Sequence, residues 1–207
     1  MKLAGIYPIT DDAFLARPRH GEEIRAVLDA GVAMLQFRAK HGNRELARGQ
    51  AAELLAICRE FGTPLIINDD VDLCAACGAD GVHLGAGDGS IAEARRILGS
   101  AAIIGATCHA SLELAAVARA AGADYVAFGR FFASSTKPDA PPAPLQVLRE
   151  ARESLDIPVA AIGGVNRENA ESLLREGADL LAVIHGIFGA KDPGTAAREL
   201  VRVHRLR

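Results

Sequence analysis

Asn68, Asp69 and Asp70 in I-I-N-D-D, and Asp88 in G-V-H-L-G-A-G-D, stand just beyond two short apolar runs. A buried strand that hands over to carboxylates places them at one rim of a sheet. Asp69 and Asp88 on neighbouring strands suit a magnesium ion, which takes a few carboxylates and fills its shell with water or phosphate oxygens. Taken alone, each acid reads more simply as a helix cap or turn residue. Asp70, followed by V-D-L-C-A-A-C, is read as the start of a helix. Other runs add groups of a different kind. In Gln36-Phe37-Arg38-Ala39-Lys40, strand alternation puts Gln36, Arg38 and Lys40 on one side and Phe37 and Ala39 on the other. An amide and two cations suit an anionic ligand, Arg as a fork and Lys as a point charge. A solvated strand end fits the same pattern.

Further along lie Thr107 and His109 in G-A-T-C-H-A-S, a hydroxyl donor and either an acid–base group or the start of a helix. Ser134, Ser135, Thr136 and Lys137 lie in Phe131–Pro144, a long loop with four prolines. A loop of that length in a compact domain is often a lid. Gly163-Gly164 and Ile184-His185-Gly186 follow two more apolar runs, where backbone N–H groups can approach a phosphate. The inventory is an acidic metal-type site, a cationic face, a loop lysine and a separate monophosphate pocket. It suits joining a diphosphate ester to a phosphorylated partner, with cations stabilising the departing pyrophosphate.

These groups need a scaffold that brings the ends of many strands together. Strand-like runs are read at Leu3–Ile9, Ala33–Phe37, Leu65–Ile67, Gly81–Leu84, Ala102–Ala106, Tyr125–Gly129, Val159–Ile162 and Leu180–Ile184. Helical segments at 44–61, 111–121, 142–154 and 167–176 lie between some of them. C-G-A-D-G-V-H-L-G at 77–85, A-G-A-D-Y-V-A-F-G at 121–129 and E-G-A-D-L-L-A-V-I at 176–184 repeat one grammar. In each, a helix ends at a glycine and a strand begins. Eight βα units predict a (β/α)8 TIM barrel forming one domain over residues 1–207, with its chemistry at the C-terminal rim. The competing doubly wound sheet would carry a glycine fingerprint after the first strand, where I-Y-P-I-T-D-D stands instead.

Composition narrows the classes. With 207 residues, half of them hydrophobic, and a net charge of -3, there is no basic field for nucleic acid. No apolar run approaches membrane-spanning length and no signal-peptide pattern opens the chain, so a cytoplasmic protein is expected. The four cysteines are too few for a secreted disulfide framework, and Cys74-Ala-Ala-Cys77 reads as helix packing rather than a metal or redox pair. His83, inside a strand, reads as a hydrogen-bonded interior residue. Small-molecule substrates are the expected partners, and a homo-oligomer is left open.

The ordered set Q-F-R-A-K, I-N-D-D, H-L-G-A-G-D, S-S-T-K-P-D and A-I-G-G-V-N resembles thiamine-phosphate synthases, from Tyr7 to about Phe188. That resemblance implies a (β/α)8 transferase that couples hydroxymethylpyrimidine diphosphate to a thiazole phosphate, giving thiamine phosphate and pyrophosphate. It implies that Gln36, Phe37, Arg38, Ala39, Lys40, Asn68 and Thr107 hold the pyrimidine diphosphate. Lys137, Arg38 and Asn68 would act on the leaving group, and Asp69 and Asp88 would bind Mg2+. Ser134, Ser135, Thr136, Gly164, Ile184 and His185 would meet the thiazole phosphate. Departures from the family pattern include Thr107 and His185 where serine is common, A-S-S-T-K in place of P-T-x-T-K, and Ala86-Gly87 in place of Gln-Glu. Other readings are a thiazole tautomerase on the same barrel, a phosphosugar epimerase, and a noncatalytic sensor. The first needs no diphosphate site, the second needs a His/Asp metal set, and the third could dispense with the metal acids.

Overall fold

Short apolar strands alternating with helices bury both their faces when they pair in parallel beneath a helical layer. In the computed structural model, which describes residues 3–133 and 141–206, the chain does this. The strands are β1 (Gly5–Pro8), β2 (Leu35–Phe37), β3 (Leu65–Asn68), β4 (Gly81–Leu84), β5 (Ile103–His109), β6 (Tyr125–Phe128), β7 (Val159–Ile162) and β8 (Leu180–Val183). They pair in the order β1-β8-β7-β6-β5-β4-β3-β2, and a parallel bridge from Ile9 to Gln36 closes the ring. The described helices are α1 (Asp12–Leu15), α2 (His20–Asp29), α3 (Arg44–Glu60), α4 (Val71–Cys77), α5 (Ile91–Leu98), α6 (Leu112–Ala120), α7 (Gln146–Ser154), α8 (Ala170–Arg175), α9 (His185–Phe188) and α10 (Pro193–Arg205). The (β/α)8 barrel expected from the sequence is the fold observed.

Alternation along each strand sorts the core into two layers. Tyr7, Ile9, Met34, Ile66, Tyr125, Ala127, Ala160, Leu180 and Ala182 fill the barrel, while Ile6, Leu35, Phe37, Ile67, Val82, Val126, Leu181 and Val183 pack outward against the helices. Among the described residues no helix is long and apolar enough to cross a membrane.

The repeated Gly-Ala-Asp does more than end a helix. Asp80 N–H donates to Leu65 O at 3.0 Å, and Leu65 N–H returns a bond to Asp80 Oδ2 at 2.8 Å. Asp124 and Ile104 exchange the same two bonds at 2.7 Å each, and Asp179 and Val159 do so at 2.8 and 3.1 Å. Each aspartate thus clips the foot of an even strand (β4, β6, β8) to the odd strand before it. At the corresponding place before β2 the chain reads Gly31-Val32-Ala33. There Ala33 N–H still reaches Ile6 O at 2.8 Å, but among the described residues no carboxylate answers.

Boundaries moved where local chemistry demanded. Helix α7 starts at Gln146 rather than 142, after the prolines that cannot donate to a ladder. Helix α8 starts at Ala170 because Asn166 and Asn169 bond each other in a turn first. Strand β5 runs on to His109, with a register shift between Thr107 and His109. His109 therefore does not begin the next helix; Ser111 caps α6 by accepting from Leu114 N–H. Asp70 caps α4 as expected, accepting from Leu73 N–H at 2.8 Å. That helix ends at Gly78, whose φ of 71° is the left-handed cap a glycine takes most readily. Cys74 is buried and Cys77 lies partly buried in it, neither in a disulfide.

Candidate active site

At the C-terminal ends of the strands opens a cavity of about 410 Å³, and its wall collects residues from every strand end. Gln36, Arg38, Asn68 and Thr107 line it, with Gly164, Ile184 and His185 also in the wall. A hollow of about 690 Å³ lies at the other end of the barrel. Its acids Asp124, Asp156 and Asp179 are already bonded to Arg95, Arg119 and Arg152, each at 2.6 Å, and Asp124 and Asp179 belong to the strand clips. That end carries stability, and chemistry belongs to the rim.

The segment after β2 hangs from the loop after β1. Thr10 N–H donates to Gln36 O at 3.0 Å, and Arg38 N–H to Thr10 Oγ1 at 2.9 Å. Asp12 Oδ1 accepts from the N–H groups of Lys40 and His41, each at 3.0 Å. Burial alone would raise the Asp12 carboxyl, but these two bonds hold it below its usual value. Phe37 is buried among the outward-facing residues, and Ala39 packs against the same layer. Strand alternation turns the side chains of Phe37 and Ala39 toward that layer, so the ligand contact expected of them would fall to their backbone.

Strand β3 ends at Asn68, and Asp69 then takes a φ of 65°, a left-handed turn that aspartate tolerates better than most residues. Its N–H donates to His83 O at 2.9 Å, so the turn is tied to β4. Its carboxylate accepts from Lys40 Nζ and from Asn68 Nδ2, the latter at 2.5 Å. Asp88 Oδ2 accepts from Gly85 N–H at 3.1 Å, and its carboxyl interacts with that of Asp69. Burial would raise Asp69, but Lys40 and Asp88 hold it below its ordinary value. Burial and the Asp69 charge push Asp88 up. Two carboxylates pressed together, one reluctant to ionise, form a donor set that suits a divalent cation. Among the described residues no group of three or more metal-type side chains gathers, and the pair leaves a cation's other positions to water and phosphate.

The raised Asp88 gives a sign that can be measured. The folded protein holds this proton more tightly than the unfolded chain, so the charge penalty grows as pH rises through the folded pKa. Asp88→Asn keeps an acceptor for Gly85 N–H and removes that penalty. In EDTA its Tm is expected to match or exceed wild type at pH 7, with the difference closing as acid protonates Asp88. A lower Tm for the variant at pH 7 in calorimetry would mean that attraction, not repulsion, dominates there.

Opposite these acids, Gly163 and Gly164 follow β7 with φ of 104° and 63°. A Cβ on Gly164 would stand 2.3 Å from Ala133 O and 2.8 Å from Phe132 Cβ, so the loop after β6 lies directly on this turn. Asn169 Nδ2 donates to Gly164 O at 2.9 Å and fixes it from behind. His185 opens α9 with its side chain about half exposed, Nε2 lying 4.0 Å from Asp11 Oδ2. Ser134, Ser135, Thr136 and Lys137, with the lid expected around them, lie outside the described residues.

Sequence reasoning missed Arg130, Tyr7 and Tyr125. Arg130 and Tyr7 line the cavity. Tyr125 is buried within the barrel beneath it. Extending the inward alternation of Ile9 back to Tyr7 and that of Ala127 back to Tyr125 would have found the tyrosines. His83, read as an interior residue, is one: its side chain bonds Tyr125 and Thr107 at 2.9 Å each.

The sequence profile described as thiamine monophosphate synthase matches residues 6–187. Thiamine phosphate pyrophosphorylase from Pyrococcus furiosus superposes with a TM-score of 0.89 at 36% identity, over 99% of this chain and 97% of that one. The pyrophosphorylase from Bacteroides thetaiotaomicron superposes at 0.72 with 19% identity, over 100% and 99% of the two chains. A 3-hexulose-6-phosphate synthase reaches 0.68 at 19% identity, over 96% and 99%, and these two more distant likenesses speak for the fold alone. With the profile spanning nearly the whole barrel and the Pyrococcus enzyme alike from end to end, the chain belongs to the thiamine monophosphate synthase family of transferases.

Proposed function

We infer that the chain joins hydroxymethylpyrimidine diphosphate to the thiazole phosphate, releasing pyrophosphate. The observation that carries this reading is one cavity whose two ends carry unlike groups, each suited to an anion. Arg38, Asn68 and Thr107 stand toward β2–β5 with Lys40, Asp69 and Asp88 at the rim, while Gly164, Ile184 and His185 stand at β7–β8.

In this reading the C–O bond between the pyrimidine methylene and the diphosphate breaks, and a C–N bond to the thiazole nitrogen forms. The pyrimidine amino group supplies the push, so no protein nucleophile is required. The buried cysteines fit that absence of a role: burial raises Cys58, Cys74 and Cys108 to about 12, far from a reactive thiolate. Asp69 and Asp88 would hold Mg2+, which when bound supplies charge stabilisation to the leaving diphosphate. Arg38 and Lys40 bind the diphosphate and Asn68 orients it, with the role of Lys137 resting on the sequence resemblance. Gly164, Ile184 and His185 seat the second phosphate, together with the hydroxyls of Ser134, Ser135 and Thr136. Holding both substrates in line is a large contribution that needs no covalent chemistry.

The test mixes purified protein with both substrates and magnesium and follows thiamine phosphate and pyrophosphate, with EDTA as control. Equal appearance of the two products, abolished by EDTA, is expected. Binding of the thiazole phosphate without coupling would replace this reading with tautomerase or sensor.

A further inference from the structure

Beneath the cavity, five side chains form a continuous hydrogen-bonded file across the barrel. Gln36 Nε2 donates to Tyr7 Oη at 2.6 Å, and the hydroxyls of Tyr7 and Tyr125 are 2.8 Å apart. Tyr125 Oη lies 2.9 Å from His83 Nδ1, and His83 Nε2 lies 2.9 Å from Thr107 Oγ1. The file is built into the packing. The tyrosine rings meet edge to face at 5.8 Å, and His83 stacks on Tyr125 at 5.5 Å. Gly105, the β5 residue paired with Tyr125, leaves room for that ring: a Cβ there would stand 2.0 Å from Tyr125 Cζ.

Each hydroxyl carries one proton and a neutral imidazole carries one, so contacts in series cannot be oriented independently. Burial pushes both phenols well above their ordinary value, and they keep their protons. With the Gln36 amide donating, Tyr7 is an acceptor and its proton goes to Tyr125. The Tyr125 proton then goes to Nδ1 of a neutral His83, whose ring proton on Nε2 is donated to Thr107. The proton left over is that of the Thr107 hydroxyl, and Thr107 lines the cavity.

We propose that this file sets the polarity of the substrate subsite: it holds His83 as the Nε2–H tautomer and presents Thr107 to the cavity as a committed donor. Such a subsite selects an accepting oxygen, as on a phosphate, over a hydroxyl or amine that must donate. Tyr125 and His83 are positioning residues that act through Thr107. That the accepting oxygen belongs to a diphosphate rests on the function inferred above; the tautomer does not. The reverse order would need the Gln36 amide turned so that its oxygen accepts from Tyr7, and it would make Thr107 an acceptor.

The two orders are separated by long-range 1H–15N spectra of 15N-histidine-labelled protein, with His83 assigned by its loss in His83→Gln. A single neutral tautomer protonated at Nε2 is expected in wild type, and a mixture in Tyr125→Phe. Gln36→Leu, which frees the far end of the file, is expected to give the same mixture and serves if Tyr125→Phe does not fold. Calorimetry with inorganic pyrophosphate and magnesium supplies the second readout. Tyr125→Phe and Thr107→Val should each weaken binding roughly tenfold, the scale of one lost hydrogen bond, and the double variant should be no weaker than Thr107→Val. A wild-type Nδ1–H tautomer, a tautomer unmoved by the variants, or additive losses would overturn the proposal. The expected tautomers with no pyrophosphate binding would uphold the polarity and overturn the diphosphate reading.

Discussion

Asp69→Asn is expected to lower kcat/KM for the coupling reaction by roughly 10³-fold, the upper end of what one lost electrostatic contact to a transition state costs. The fold should survive. Asparagine tolerates the left-handed φ of 65° at this position, and its amide oxygen can still accept from Lys40 and from Asn68. What it cannot supply is the charge beside Asp88 that a divalent cation needs. Asp69→Ala should lose the same activity and also some stability, because alanine has neither the tolerance for that turn nor the two bonds. Rates measured against magnesium concentration decide the point. A near-normal rate for Asp69→Asn at saturating magnesium would remove the metal assignment.

Gly164→Val should fail for a different reason. A branched side chain at φ 63° is strained, and its Cβ would meet Ala133 O at 2.3 Å, so either the turn after β7 or the loop after β6 has to move. Displacing a phosphate-binding turn by about an ångström is the kind of misplacement that costs on the order of 10²-fold. The loss should fall mainly on the KM for the thiazole phosphate, with the pyrimidine diphosphate changed far less, because Arg38 and Lys40 are held from Thr10 and Asp12 on the other side of the barrel. Overpacking should also cost about 1–3 kcal/mol of stability, read as a lowered denaturation midpoint. Equal changes in both KM values would show that Gly164 is not confined to one substrate's end.

The barrel was legible because its signals are local and repeated. Short apolar runs, glycines at helix ends and the three Gly-Ala-Asp segments each report on a few neighbouring residues. The same locality explains Asp70 as a cap and the split of Phe37 and Ala39 from Gln36 and Arg38. Less could be read where a residue's role depends on strands far away in sequence. Tyr7 and Tyr125 look like ordinary core aromatics until the ring closes and brings their hydroxyls together across 118 positions. Arg130 reaches the cavity wall only because its strand end faces Gly163. The repeated aspartates, given no role in the sequence beside the glycines that punctuate helix and strand, serve as clips between strands, since a sequence repeat does not say which neighbour its carboxylate will meet.

The missing clip before β2 has a mechanical consequence. Every other even strand is pinned at its foot by two bonds from one aspartate, whereas among the described residues β1 and β2 share a single bond there, from Ala33 to Ile6. The barrel has a seam, and it is the joint from whose upper end Gln36, Arg38 and Lys40 hang. Local opening follows the joint with fewest bonds, so amides of β1 and β2 should exchange with deuterium sooner than those of the clipped pairs. A ligand gripping Arg38 and Lys40 would bind only the closed joint and slow that exchange by mass action. The first substrate to arrive then acts as the barrel's missing fastener.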